Sequence, residues 1–244
     1  MDLIKSYRGA ALGWIWLVIK PAMYIGVFWF TVRIGMRSGG AVNGYSFTFW
    51  LASGILPWFF IKDLLESGSE VLNRYPFLVN RLRFPISVIS TFFALSKMIV
   101  CVGTIIFLML WSILAGHYPT IYWLQLPLIL VLMMVFWVGW SIALSPLCAI
   151  SQDFANLVKT LSMPLFWISG IIFQLENMPH WIQVIMWFNP VSWCVESIRN
   201  SFIYNQWIWS QPKELAAFAI IFILMWMLAG LSFGRLSKEV PDVL

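Results

Sequence analysis

Few side chains in this 244-residue chain could do acid–base chemistry, and those that could are Glu176, His180, Glu196 and Arg199. A membrane-embedded transferase acting on a lipid-linked sugar or an acyl group needs a cluster of catalytic acids or bases at one membrane face, and these residues are its candidates. Other chemistry lacks its residues. There is no Gly-x-x-x-x-Gly-Lys-Ser/Thr phosphate cradle, so ATP is not bound and hydrolysed through that motif. Neither His-Glu-x-x-His nor Cys-x-x-Cys occurs, and Cys101, Cys148 and Cys194 fall in or beside apolar runs as small core residues. His117 and His180 fall in expected loops and read as interfacial. Lys97 is the clearest charge inside an apolar run. It is either a relay or a lysine satisfied by a neighbouring carbonyl or by the interface. Lys62 and Asp63, near the end of another run, are placed to pair or to snorkel.

A denser group of charges sits in residues 65–85, which hold Glu66, Glu70, Arg74, Arg81 and Arg83 between two long apolar runs. Such a density cannot lie in hydrocarbon, so the segment faces water or another protein. Leu65, Val71, Leu72 and Tyr75 recur at helical spacing, Pro76 ends that helix, and Phe84-Pro85 restarts the chain. Two readings stay open: a solvated connector, or a docking helix that receives force from a soluble partner.

The elements that position these groups follow from composition. Hydrophobic residues make up 61% of the chain and charged residues 10%, with a mean hydropathy of +0.85. Soluble domains carry roughly 25% charged residues, so this is an integral membrane protein. With about 20 apolar residues needed per crossing, the length suits six spans and short loops in one transmembrane domain, 1–244. The net charge of +5 is scattered among apolar runs, which fits topology and headgroup contact rather than nucleic acid.

Residues 1–13 suit an interfacial helix. Spans are expected at about 14–34, 45–64, 86–115, 121–150, 157–174 and 214–233, the first with Lys20-Pro21 near its start and the second interrupted by Gly54 and Pro57. Ser151-Gln152-Asp153 reads as a break. Within 175–210, the pieces 180–190 and 191–204 are apolar but too short to cross and flank Asn189-Pro190. They read as a re-entrant pair, with Trp181, Trp187, Asn189 and Pro190 as its marker residues. Lys5, Arg8, Arg74, Arg81, Arg83, Lys159, Arg235 and Lys238 fall on the side of the termini, against Arg33, Arg37, Arg199 and Lys213 opposite. The excess puts both termini in the cytoplasm.

Trp (16), Phe (20) and Tyr (7) are abundant, and many rings form the usual interfacial belt. Others could face a conduit: Trp14, Trp16, Tyr24, Phe28 and Trp29 in span one, and Trp50, Trp58, Phe59 and Phe60 in span two. Flat rings suit sugars, whose C–H edges pack on them while the hydroxyls stay wet.

Four stretches carry a resemblance. Arg8-Gly9-Ala10-Ala11-Leu12-Gly13-Trp14-Ile15-Trp16 with Lys20-Pro21, then Gly54-Ile55-Leu56-Pro57-Trp58-Phe59-Phe60, then Leu78-Val79-x-Arg81-x-Arg83-Phe84-Pro85, and Asn189-Pro190 occur in order along nearly the whole chain. Together they resemble the membrane (permease) subunits of bacterial polysaccharide ABC exporters, the teichoic acid and O-antigen export family. Ile34-Gly35-Met36-Arg37-Ser38-Gly39-Gly40 and Phe47-x-x-Trp50-Leu51 look most like the wall teichoic acid branch, with O-antigen the close second. Gln152-Asp153 stands where the family often has Arg-Asp. The resemblance implies a six-span, all-helical half-transporter that works as a homodimer, with no cofactor in this chain. Each copy would bind a separate ATPase subunit that holds ATP and Mg. The pair would move a lipid-linked glycan outward across the cytoplasmic membrane. Residues 65–85 would then be the coupling helix, with Glu66, Glu70, Arg74, Tyr75, Arg81 and Arg83 at the ATPase, and 1–13 a gate helix.

Overall fold

The computed structural model describes residues 15–35, 40–75 and 86–236. These residues form an all-helical bundle whose one strand-like feature is an isolated bridge between Val42 and Tyr45. Trp14, the segment 1–13 and all of 76–85, with Arg81 and Arg83, fall outside them.

Helix α1 is Trp16–Trp29, extended as a π-turn over Phe30–Gly35. Helix α2 is Phe47–Asp63, and α3 is the short Val71–Arg74. Then follow α4 (Ile86–Leu114), α5 (Leu126–Ile150) and α6 (Gln152–Ile168). Helices α7 (His180–Trp187), α8 (Pro190–Arg199) and α9 (Pro212–Leu236) complete the order. Among the described residues, four stretches are long and apolar enough to cross a membrane: Phe47–Gly68, Ser87–Leu114, Ile121–Ile150 and Pro212–Arg235. Helices α1 and α6, where the first and fifth spans were expected, have 14 and 17 residues.

Helix α2 is the axis of the bundle. Every residue from Phe49 to Trp58 is buried, together with Phe60 and Ile61. It is apolar all round, the pattern of a helix enclosed by others, and α1, α4 and α8 pack against it. Helices α4 and α9 lie outside and turn Ile99, Leu110, Ile223 and Leu231, each more than half exposed, away from the core. Such outward apolar faces are stable only against lipid or another apolar surface.

With no water to hydrate the backbone, polar side chains fasten the helices to one another. Helix α2 does not stop at residue 64 as expected but continues as a π-turn over Leu64–Gly68. Leu64 and Leu65 are fully buried, so the apolar pull of the core outweighs the polar reading of Glu66. The turn exposes the Gly68 carbonyl, which accepts from Ser141 Oγ on α5 at 2.6 Å. Next to it Trp140 Nε1 donates to Ser69 Oγ at 3.1 Å. Ser232 Oγ on α9 donates to Ala143 O on α5 at 2.6 Å. At the other end Gln125 holds the chain between α8 and α9, donating to Gln206 O at 2.7 Å and accepting from Ile208 N at 2.9 Å.

The expected break at 151–153 falls at Ser151, whose extended backbone ends α5 and at the same time starts α6. Ser151 Oγ accepts from Phe154 N at 3.3 Å and Asp153 sits in the first turn, both favourable at a helix N-terminus. Helix α6, where the fifth span was expected, therefore begins about five residues earlier than expected. It ends at Ile168, before Gly170 in the left-handed region.

The pair at 180–204 is two unlike helices. Pro190 is the first residue of α8, where its missing N–H costs nothing, and Asn189 caps it by accepting from Val191 N at 3.0 Å. No residue of α7 is buried, with Trp181 66% exposed, whereas α8 is core along nearly its whole length. Cys101, Cys148 and Cys194 are free thiols in the core, as their surroundings predict.

Candidate functional site

The polar residues collect at the two ends of the bundle. One end holds 64–75, the start of α4 and the junction of α5 with α6. The other holds 40–46, 115–121 and 174–211.

At the first end, the expected docking helix shrinks to α3, a single turn. Val71 and Leu72 are fully buried against α4 and α5. The apolar face that was to fill a partner's cleft is filled from within the chain. Glu70 is likewise engaged, its carboxylate 2.6 Å from Lys159 Nζ on α6, and Glu66 lies 3.9 Å from Lys62. Asn73 Nδ2 donates to Cys148 O at 3.2 Å, tying the turn to the end of α5. Arg74 is exposed, donates to Ser67 Oγ at 2.7 Å, and passes 6.0 Å from the Phe93 ring. Tyr75 closes the turn, half-buried, its N–H donating to Leu72 O at 3.1 Å. Lys97 pairs with Asp63 at 2.9 Å and stands 5.5 Å from the Phe93 ring, so the pairing expected of Asp63 is made to Lys97 rather than to Lys62.

Of the conduit candidates, Trp58 is 3% exposed and packs on Phe166 at 5.5 Å; in this chain it is a core ring rather than a wall. Trp50 and Phe60 are also buried. Phe28 is half-buried beside Phe166 and Trp167, at 5.3 and 5.9 Å. Tyr24 is 41% exposed and meets Phe59 edge-on at 5.3 Å, so these two rings stay near the surface on α1 and α2. Trp16 opens α1.

At the second end lies the densest polar arrangement, centred on Arg199. This side chain was expected as an outer-loop cation, yet it is fully buried. Its Nη1 donates to Gly170 O at 2.7 Å and to Glu196 Oε1 at 2.9 Å, and its Nη2 donates to Ile171 O at 2.7 Å. The Trp50 ring covers the guanidinium at 3.7 Å. The planar fork thus satisfies the two carbonyls beyond the end of α6, one acid on α8 and one ring on α2. Only a glycine permits this approach. A Cβ on Gly54 would lie 2.6 Å from Nη2 and 3.0 Å from Ile171 O. Around it, Asn189 Nδ2 donates to Ser169 Oγ at 2.8 Å, Ser192 Oγ to Ser169 O at 3.1 Å, and Trp50 Nε1 to Tyr204 Oη at 3.3 Å. Burial pushes the Glu196 carboxyl above the usual carboxylate range, against the opposing pull of Arg199.

Of the four transferase candidates, Arg199 is spent on Glu196 and on backbone, and Glu196 and Glu176 line one cleft. His180 lies on exposed α7 with its ring edge-on to Trp187 at 6.4 Å, and Glu176 stands on the loop before it. Trp181 is exposed and Trp187 half-buried, while Asn189 and Pro190 form the cap and first turn of α8. Residues that sequence reasoning missed are Ser169 and Gly170. Their role is carried by backbone carbonyls, for which no residue type is a signal.

The comparisons with known proteins agree in extent with this bundle. An O-antigen export system permease protein of Klebsiella pneumoniae is 24% identical over the whole chain and 92% of its own length. A second such permease protein, of Myxococcus xanthus, is 20% identical over 99% of this chain and 92% of its own. A polysialic acid transport protein of Escherichia coli is 25% identical over 93% of the chain and 87% of its own. The family model of the ABC-2 type transporter matches residues 2–203, most of the described helices, and the chain belongs to that family of transporter membrane subunits, which are not enzymes.

Proposed function

We propose that this chain is the membrane subunit of an ATP-driven exporter that moves a lipid-linked polysaccharide outward across the cytoplasmic membrane. The observation that carries the reading is full-length similarity to polysaccharide permeases, by a helical bundle in which the Glu70–Lys159 pair and Arg199, paired with Glu196, hold helices together. ATP and Mg would be bound by a separate ATPase subunit. A second copy of this chain would complete the pathway, and the outward apolar faces of α4 and α9 supply surface for lipid or for that copy.

Six crossings remain the preferred count, with α1 and α6 as the two shorter spans and α7 with α8 as the re-entrant pair. Both termini then lie in the cytoplasm. Burial of Arg199 removes it from the outer cations and widens the positive-inside bias.

Of the two glycans the resemblance raises, O-antigen is the better supported, since two of the three relatives named above are O-antigen permeases and the third, a polysialic acid transport protein, is not a teichoic acid one. The Phe47-x-x-Trp50-Leu51 signature that pointed to wall teichoic acid is accounted for by packing: Phe47 stacks on Trp50 at 5.7 Å, and Trp50 covers Arg199. It therefore says little about the polymer.

In the coupling segment, Glu70, Val71 and Leu72 are committed within the chain, which leaves exposed Arg74 as the described group best placed to meet the ATPase. Truncating one partner of a charge pair in a desolvated interface costs about 2–5 kcal/mol. Arg74→Ala should therefore insert normally yet co-purify with the ATPase at least about tenfold less well. Full recovery of the complex would assign Arg74 to solvent.

A further inference from the structure

A cleft between α7, α8 and the start of α9 has no part in the account so far. Its charged lining groups are all carboxylates: Glu176, Glu196 and Glu214. Only Glu196 has a basic partner within 4.0 Å among the described residues, and Arg199 occupies just its Oε1. The amides are anchored so as to present acceptors as well. Gln183, also in the lining, donates its NH2 to Glu176 O at 3.2 Å and to Met178 O at 2.8 Å, which fixes the amide and leaves its Oε1 without a protein donor. Trp187 and Tyr204 stand in the walls, both half-buried.

Three kinds of group thus converge: preorganised oxygen acceptors, fixed amides and partly open aromatic rings. Acceptor oxygens call for O–H donors, and the rings suit the C–H faces of sugars. Three carboxyl groups outnumber the nearby cations, Arg199, already bonded to Glu196, and Lys213, 5.8 Å from the Trp187 ring, so a phosphate or carboxylate on the ligand is disfavoured. Resting on the polysaccharide-export reading, we propose that this cleft is a glycan-binding subsite at the outer end of the bundle, and that it holds a neutral, hydroxyl-rich stretch of the emerging chain rather than a polyanionic one.

Photo-crosslinking in cells that carry this chain with its ATPase, using the cells' own surface polysaccharide as probe, tests it. Gln183→p-benzoylphenylalanine and Gln211→p-benzoylphenylalanine place the reactive group in the cleft lining. Trp181→p-benzoylphenylalanine places it on the exposed side of α7 as a control. Ultraviolet light should give polysaccharide adducts at both cleft positions and not at the control, and the attached polymer should have a neutral repeat. Glu214→Gln should lower the Gln183 adduct by about tenfold, the loss of one charged hydrogen bond. Absence of cleft adducts while surface polysaccharide is normal would overturn the subsite and leave the export reading standing. So would adducts equally strong at Trp181. An attached polymer with a phosphate or carboxylate in each repeat would overturn the neutral-glycan assignment. If surface polysaccharide does not depend on this chain at all, both readings fall together.

Discussion

Replacing Arg199 by methionine should cost the folded chain about 3–5 kcal/mol, the largest loss expected from any single substitution here. Methionine keeps much of the apolar stem but removes every donor. The Gly170 and Ile171 carbonyls and the Glu196 carboxylate, all bonded to the guanidinium in the native chain, would then compete for no one. Buried acceptors stripped of their partner cost far more than the bonds had contributed net. The cation–π contact with Trp50 goes as well. Thermal unfolding of the detergent-solubilised protein should show the loss. Arg199→Lys should recover only part of it, because an ammonium cannot span three acceptors held in one plane by a fork. A stability change under about 1 kcal/mol for the methionine variant would mean that the buried knot does not hold α2, α6 and α8 together.

The second large effect is expected at Gly54, where the added methyl of Gly54→Ala would overlap the guanidinium at 2.6 Å and crowd Ile171 O at 3.0 Å. Neither obstacle yields easily, since both are held by the same hydrogen bonds. Overpacking of this kind costs about 1–3 kcal/mol, despite alanine's better helix propensity. The penalty should shrink in an Arg199→Ala background, because its nearer obstacle is then gone. The two substitutions are therefore expected to be non-additive by about 1 kcal/mol or more, measured as a double-mutant cycle of unfolding. Additive costs would show that Gly54 is intolerant for another reason.

Most of the helices could be read from the chain because hydropathy and length alone determine them; the runs at 47–68, 87–114, 121–150 and 212–235 are apolar for longer than any soluble helix needs. Polar residues are a weaker guide to boundaries. Ser151-Gln152-Asp153 does break the apolar run, but the break is the single residue Ser151, because serine followed by an acid in the next turn is also how a helix begins. Glu66 looked like the end of span two, although Leu64 and Leu65 beside it are drawn fully into the core. Arg199 was read as solvated because charge usually is. Its partners are backbone oxygens 28 and 29 positions away, which no side-chain pattern announces. The same holds for the cleft between α7, α8 and α9, whose residues 174–214 look like ordinary loop polarity until α7 and α8 fold them around one space. At the opposite end, the coupling segment was legible as polar but not as tethered, since Lys159 lies far along the chain from Glu70.

The assignment as an exporter is tested most directly by following polysaccharide in cells in which this chain is depleted on demand. A lectin or antibody that reads the polymer on intact cells reports what has been exported. The same reagent after permeabilisation reports what has not. Depletion should drain the surface signal while lipid-linked polymer accumulates inside, and the native chain, but not Arg199→Met, should restore the surface. An unchanged surface, or a surface that empties with no polymer building up within, would contradict export and point instead to a chain that has no part in the polymer or one that helps to make it.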